Sequence, residues 1–223
     1  MFPSAITLAV SALGLNRGVS AIFGGVSFTV AAGGALILRG SNGSGKTSLL
    51  RCLAGLTLPD AGGITWNGEN WPPLSEKCRA TTLYLGHTHA LKDDFTAQEN
   101  LSDALAIDNL LATPDAQRDA LLQVGLADRR DVLARRLSQG QKRRVGMARL
   151  VLALSQAPHP PQKPLWLLDE PTNALDADGV LLFTHLINAH LARGGLACIA
   201  THLALDLAKP ATVLNLDQFA GGR

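Results

Sequence analysis

The sequence has few cysteines, and their arrangement excludes several kinds of site. Its three cysteines, Cys52, Cys78 and Cys198, lie far apart and are odd in number. No C-x-x-C or C-x-x-C-H pattern occurs, so we expect no disulfide framework, no cysteine zinc site and no covalently attached haem. Cys52 and Cys198 stand in apolar stretches and are predicted to be small core residues.

Long apolar runs and an excess of one charge are also missing. No run approaches the roughly 20 apolar residues of a membrane helix, and no signal-peptide pattern opens the chain. Its 20 basic and 18 acidic residues leave a net charge of +2, which argues against broad binding to nucleic acid or to an anionic membrane. The basic cluster at 142–144 is interpreted as a partly solvated helix face. We expect a cytoplasmic protein that has no nucleic-acid partner and attaches to a membrane only through another subunit.

The chain has enough apolar residues for one large core. Hydrophobic residues make up 47% of the 223, which predicts a single domain over residues 1–223. Apolar runs predict strands at 6–10, 26–30, 35–38, 64–67, 82–86, 165–168, 197–201 and 212–216. Glycines predict turns at Gly14, Gly18 and Gly24–Gly25.

Helical signals are concentrated between about residues 96 and 155. Thr96 and Glu99 form a capping-box pattern, Pro114 opens a second helix, and Ser138 can cap a third. A later helix is predicted at 177–193, where His185 and His190 are interpreted as ordinary helix-face residues, and another between 201 and 212. The predicted fold is α/β: a mostly parallel core sheet, an antiparallel β part formed by N-terminal segments, and a helical subdomain inserted at approximately 96–155.

One eight-residue stretch carries the strongest functional signal. It fits the phosphate-loop pattern G-x-x-x-x-G-K-[ST] and lies between an apolar run and a helix-forming run. Its residues are Gly40, Ser41, Asn42, Gly43, Ser44, Gly45, Lys46 and Thr47, followed by Ser48. Backbone N–H groups of such a loop cradle phosphate oxygens at a helix N-terminus. We expect Lys46 to reach the β- and γ-phosphates of ATP and the Thr47 hydroxyl to bind Mg²⁺.

A second apolar strand ends in two acids. Asp169 closes the run at 165–168 and is predicted to hold Mg²⁺ opposite Thr47. Glu170, one residue further, is predicted to orient the water that attacks the γ-phosphate. An apolar strand that meets solvent at two acids is common, and the phosphate loop is what makes this pair informative.

The segment after residue 136 reads Leu137, Ser138, Gln139, Gly140 and Gln141. It opens a helix, so a hydroxyl and N–H groups can face an anion; a plain helix cap is the alternative. The phosphate loop, this LSxGQ signature, the Asp-Glu strand end and the later Thr201-His202 together resemble ATP-binding cassette ATPases, in order and spacing, over essentially the whole chain.

That resemblance implies several roles. The signature would bind the ATP of a second copy in a head-to-tail dimer, since one helix N-terminus cannot easily reach a phosphate enclosed by its own chain's loop. Asp176 would lie at the dimer interface, and His202 would contact the γ-phosphate. Polytopic membrane subunits would be the other partners, which places the chain peripherally on the cytoplasmic face of the inner membrane.

A closer resemblance is to the ATP-binding subunits of cytochrome c maturation systems, or haem exporters. It is carried by Leu83-Tyr-Leu-Gly-His87, by Thr96-Ala-Gln-Glu-Asn-Leu101 and by the signature with its basic cluster. It implies ATP hydrolysis coupled to haem export or to release of a haem-loaded chaperone. Which of these occurs, and whether GTP also serves, the sequence leaves open.

Three positions depart from the family pattern. Gap-free counting puts His87, followed by Thr88, where the family has a glutamine facing the membrane subunit. Arg17 stands where an aromatic residue commonly stacks on adenine, and a guanidinium can also stack on a base. The stretch from Ser138 to Asp169 is longer than in close relatives, and a proline-rich segment at 156–164, predicted to be a surface loop, accounts for the difference.

Two other functions remain as alternatives. A non-transport cassette ATPase in DNA repair or on the ribosome would usually carry a coiled-coil insertion or a second cassette, and the chain shows neither. A nucleoside or small-molecule kinase shares the phosphate loop but has no use for the signature.

Overall fold

The computed structural model describes residues 6–87, 90–155 and 162–220, and these form two sheets flanked by helices. The strands are β1 (Thr7–Arg17), β2 (Ser20–Ala31), β3 (Ala35–Arg39), β4 (Ala61–Trp66), β5 (Glu69–Asn70), β6 (Thr82–Leu85), β7 (Leu165–Asp169), β8 (Leu196–Ala200) and β9 (Thr212–Asn215). The helices are α1 (Lys46–Leu53), α2 (Glu76–Thr81), α3 (Ala97–Ile107), α4 (Pro114–Gln123), α5 (Gln139–Ser155) and α6 (Ala177–Ala192). None of the helices in the described ranges is long and apolar enough to cross a bilayer.

The parallel sheet forms the centre of the molecule. Its strand order is β6-β7-β8-β3-β9, and every neighbouring pair is parallel. Side chains of a strand alternate between faces, so Leu165 and Leu167 of β7 pack towards α1 and the antiparallel sheet. Trp166 and Leu168 pack towards the helices on the other face. The predicted mostly parallel α/β core is confirmed.

The antiparallel sheet has the order β2-β1-β4-β5 and contains the N-terminal strands, as expected. Its strands β1 and β2 are longer than predicted, because the turns expected at Gly14 and Gly24–Gly25 are absent. The chain reverses at Gly18, with φ of +61°. Between Val10 and Asn16 the pairing of β1 with β2 shifts register instead of ending in a turn. A β-bulge accommodates an extra residue without ending the strand.

Helices α3, α4 and α5 lie between β6 and β7 in the chain, where helices were predicted. Thr96 and Glu99 form the expected capping box at the start of α3. Ser138 Oγ accepts from the Gln141 N–H at the start of α5, while Gln141 Oε1 accepts from the Ser138 N–H. Both helix starts thus follow from side chains within four residues of each other.

The segment after β8 contains no helix, contrary to the prediction for 201–212. Side chains from other elements bind its backbone instead. Arg39 donates to the carbonyl oxygens of Thr201 and Leu203. Asn188 donates to the carbonyl of Asp206 and accepts from the N–H of Ala208. These long-range bonds satisfy backbone groups that a helix would pair internally.

Four residues in segments predicted as helix faces or as a surface loop are buried. His190 lies on helix α6, as predicted, but the face it lies on is fully buried and its ring stacks on Trp166. Arg143 in the basic cluster is also buried, as are Lys163 and Pro164 at the end of the proline-rich segment. Residues 156–161 of that segment lie outside the described residues. The cysteines are buried, as predicted for Cys52 and Cys198.

Candidate nucleotide site

The phosphate loop connects β3 to α1, and its glycines have a conformation that other residues rarely adopt. Gly40 and Gly45 have φ of +138° and +97°. A Cβ on Gly45 would lie 2.7 Å from Ile22 Cγ2 and 2.9 Å from Phe23 Cδ1. The loop therefore packs tightly against β2, so the antiparallel sheet holds it in place.

Several groups in the loop can receive phosphate. The Nζ atom of Lys46 donates to the carbonyl oxygens of Gly40 and Ser41, at 2.7 and 3.0 Å, and so spans the loop. Ser44 Oγ is buried and has no hydrogen-bond partner within the described part of the chain. The first turn of α1 has neither a side-chain cap nor an acidic residue. A cation, an unpaired hydroxyl and an uncapped helix N-terminus together fit a polyphosphate.

Thr47 and Asp169 meet although 122 residues separate them in the sequence. The Thr47 hydroxyl, on the first turn of α1, donates to Asp169 Oδ2 at 2.8 Å. Asp169 is the last residue of β7 and is 1% exposed. A hydroxyl and a carboxylate oxygen in contact are hard oxygen ligands of the type that Mg²⁺ takes beside phosphates. These two residues therefore fit a magnesium ion.

Glu170 follows in a strained backbone conformation. Its φ is +47°, and its N–H donates to the Ala200 carbonyl at 2.8 Å, which holds it against β8. Its Oε1 atom lies 3.3 Å from Nε2 of His202, an exposed residue just beyond β8. A non-glycine residue with positive φ persists only where its surroundings enforce it. The adjoining strands thus bring Glu170 and His202 to one edge, beside Asp169.

The signature segment packs against the residues that follow β7. A Cβ on Gly140 would lie 2.6 Å from the Ala174 carbonyl oxygen, so glycine is needed for this close approach. Asp176 caps α6 through the Gly179 N–H at 2.9 Å and binds Arg144 at 2.6 Å. These bonds lower the pKa of the Asp176 carboxyl, with the Gly179 N–H as the largest cause. Asp176 therefore has a structural partner in its own chain as well as a predicted place at an interface.

Arg143 was not recognised as a site residue from the sequence. Its guanidinium donates to the carbonyl oxygens of Gly86 and His87, both at 3.2 Å. Burial lowers its pKa, and the nearby Asp169 and Glu170 act in the opposite direction. Arg143 thus ties the start of α5 to the end of β6, beside the carboxylates. Its position two residues after the signature was the only available signal.

His87 is exposed, two residues after the end of β6, and lines a groove. The groove has a volume of about 650 Å³ and also borders Thr47, Arg143 and Ile107. Thr88, the neighbour weighed with His87, lies outside the described residues. Arg17 is exposed at the end of β1.

Asp217 is a second residue near the site that the sequence did not predict. It lies in a 3₁₀ turn, Leu216–Phe219, directly after β9. It binds Ser41 of the phosphate loop, 176 residues away in the chain. No local pattern links the two residues, so the sequence offers no signal for this contact.

Comparison with known proteins agrees with this geometry. A family model described as ABC transporter matches residues 23–173. A cytochrome c biogenesis ATP-binding export protein of Aromatoleum aromaticum is 44% identical over 220 residues, which cover 99% of this chain and 100% of that protein. A protein of the same name from Dechloromonas aromatica is 44% identical over 86% of this chain and 90% of its own length.

A solved structure supports the fold. A bacterial Atm1-family ABC exporter with ATP bound has a TM-score of 0.79 at 24% identity, and the match covers 98% of this chain and 38% of the exporter chain.

Proposed function

The chain belongs to the ABC transporter family, among the cytochrome c biogenesis ATP-binding export proteins. From that premise we propose that it hydrolyses ATP for a transporter complex in c-type cytochrome biogenesis. The observation that carries the proposal is the convergence of Thr47, Asp169, Glu170 and His202 beside the phosphate loop. Energy from hydrolysis would serve haem export or the release of a haem-loaded chaperone.

We assign nucleotide binding to residues 40–48. Their backbone N–H groups and the Lys46 ammonium bind the phosphates, as the uncapped start of α1 and the span of Lys46 across the loop support. Thr47 and Asp169 would hold Mg²⁺, which would offset the negative charge of the nucleotide phosphates. Each of these residues acts by position and charge, since phosphoryl transfer needs little covalent help from the protein.

Glu170 is the proposed catalytic base. Its carboxylate orients the attacking water in line with the γ-phosphate, and His202, at 3.3 Å from it, contacts the γ-phosphate. The backbone bond from Glu170 to Ala200 keeps the carboxylate at the strand edge. His87 replaces the family glutamine that faces the membrane subunit, and its place on the groove that Thr47 also lines supports this.

The proposed active unit is a head-to-tail dimer of one ATPase domain, residues 1–223, with a helical subdomain at approximately 96–155. Residues 137–141 of one copy close over the ATP of the other, and Asp176 lies at the interface. Polytopic membrane subunits dock on this dimer at the cytoplasmic face of the inner membrane.

Two substitutions test the function in the intact complex. Glu170→Gln should retain ATP binding and lose hydrolysis by about 10²–10⁴-fold, the range for a general base. Lys46→Ala should weaken ATP binding itself. In cells whose only copy carries Glu170→Gln, haem-stained c-type cytochromes should disappear. His185→Gln, an exposed change on α6, is the control. Normal cytochrome levels with Glu170→Gln would refute the proposal.

Mixing two inactive variants tests the dimer. Lys46→Ala and Ser138→Arg should each disable both sites of a homodimer, because each site combines a loop from one copy with a signature from the other. In a mixed dimer both lesions fall on one site, so hydrolysis should return to at most about half if the sites act independently. ATP-dependent dimerisation, read by light scattering, should return as well. If neither returns, the shared-site assignment is wrong.

A further inference from the structure

The phosphate loop is hydrogen-bonded to a residue after β9, the last strand of the parallel sheet in chain order. Asp217 accepts hydrogen bonds from the Ser41 N–H, with Oδ1 at 3.0 Å and Oδ2 at 3.1 Å. Its Oδ1 also accepts from the Ser41 hydroxyl at 2.7 Å. These are charge-assisted bonds, which are stronger than neutral ones. They lower the pKa of the Asp217 carboxyl, and Lys46 lowers it further.

The 3₁₀ turn that carries Asp217 is itself anchored. Leu216 is fully buried in the core beneath the turn. Asn215 Oδ1 accepts from the Asp217 N–H at 3.1 Å, which fixes the start of the turn. A buried anchor on one side and a side-chain cap on the other restrict where the Asp217 carboxylate can lie.

The same serine also contacts the catalytic-site lysine. The Ser41 carbonyl accepts from Lys46 Nζ at 3.0 Å, while its N–H and hydroxyl are bound to Asp217. The Asp217 carboxylate also lies close to Gly40, the residue before Ser41: a Cβ on Gly40 would be 3.3 Å from Asp217 Oδ1. A shift of Asp217 would therefore move Ser41, and with it the carbonyl oxygen that holds the Lys46 ammonium group.

We propose that Asp217 is a positioning residue of the nucleotide site, which holds the first turn of the phosphate loop in its binding shape through Ser41. The proposal rests on the nucleotide site proposed above. Asp217 acts through its hydrogen bonds, since a carboxylate near a polyphosphate opposes binding by its charge. Removing the bonds and removing the charge should therefore affect ATP affinity in opposite directions.

The test compares Asp217→Ala with Asp217→Asn in the purified chain, with ATP affinity measured by calorimetry. The alanine variant should bind ATP about ten-fold more weakly, the scale of a lost hydrogen bond to a charged group. The asparagine variant keeps an oxygen acceptor for Ser41 and lacks the charge, so it should bind ATP as tightly as the parent or tighter. Asp206→Ala, an exposed acid in the same C-terminal stretch, is the control and should bind like the parent.

A thermodynamic cycle separates this role from general stability. Ser41→Ala removes only the hydroxyl bond to Asp217 and keeps the N–H bonds, so it should weaken ATP binding severalfold in the parent. It should have no further effect in the Asp217→Ala background, which already lacks the acceptor for that hydroxyl. Melting temperatures without nucleotide should not follow these affinities. If Asp217→Ala does not fold, Ser41→Ala and Asp217→Asn decide the question by themselves.

Three results would overturn the proposal: parent-like affinity in a folded Asp217→Ala, equal weakening in the alanine and asparagine variants, or full additivity with Ser41→Ala. Failure of the proposed function would look different. In that case the parent would not bind ATP, or Lys46→Ala would bind it as the parent does.

Discussion

His190 provides a test of how burial controls stability through pH. Its ring stacks on Trp166, with centroids 3.9 Å apart and planes at 10°. Its Nε2 atom lies 3.2 Å from the Pro164 carbonyl oxygen and 3.1 Å from that of Leu196, so Nε2 carries the proton and donates. The Nδ1 atom is buried with no partner in the described part of the chain. A second proton, on Nδ1, would have no acceptor.

The size of this effect on the free energy of unfolding follows from the pKa of His190. Burial lowers the pKa of His190 from 6.5 to about 4, and Arg193 contributes in the same direction, while the two carbonyl groups oppose the change. Between these values the unfolded chain binds the additional proton and the folded chain does not. The stability from a neutral His190 is therefore fully present above pH 6.5 and is lost as the pH falls towards 4. At about 1.4 kcal/mol per pKa unit, the loss is about 3 kcal/mol.

The assay is urea unfolding, followed by far-ultraviolet circular dichroism, at a series of pH values from 8 down to about 4. His190→Gln cannot titrate, although its amide can still donate to a carbonyl group. The free energy of unfolding should fall by about 3 kcal/mol more in the parent than in this variant over the acid range. His185→Gln, on the exposed side of the same helix, should keep the parent's slope. Equal slopes for the parent and His190→Gln would refute the reasoning.

Two further predictions concern the groove and the interior. His87→Ala should lower the ATPase activity that the membrane partner stimulates more than it lowers ATP affinity, and His87→Gln should be tolerated; equal loss of affinity in both variants would indicate a structural histidine instead. Arg149 donates twice to Asp108, at 2.9 and 2.6 Å, and both side chains are largely buried. Asp108→Ala should cost roughly 3–5 kcal/mol of unfolding free energy, because it leaves a buried cation unpaired. The exposed pair Asp115 and Arg118 is the control, and Asp115→Ala should cost less than about 1 kcal/mol. Similar losses in a urea titration of the two variants would contradict this.

The sequence by itself determined the features that depend on neighbouring residues. The phosphate loop, the capping box at Thr96 and the start of α5 at Ser138 each lie within one short stretch. The continuous apolar run in β7 likewise specified a strand that is buried on both faces. Such patterns act through local geometry, so they predicted the parallel core, the ATP-binding motif and the family.

Tertiary structure decided the features that depend on what packs nearby. Arg143 and His190 have ordinary positions in their helices, and only the end of β6 and the ring of Trp166 explain why each is buried. The expected helix after β8 is replaced by bonds from Arg39 and Asn188. Asp217 reaches Ser41 because β9 pairs with β3, which delivers both residues to one edge of the sheet. Burial and hydrogen bonding across such distances depend on which strands are neighbours, and no local stretch of sequence encodes that.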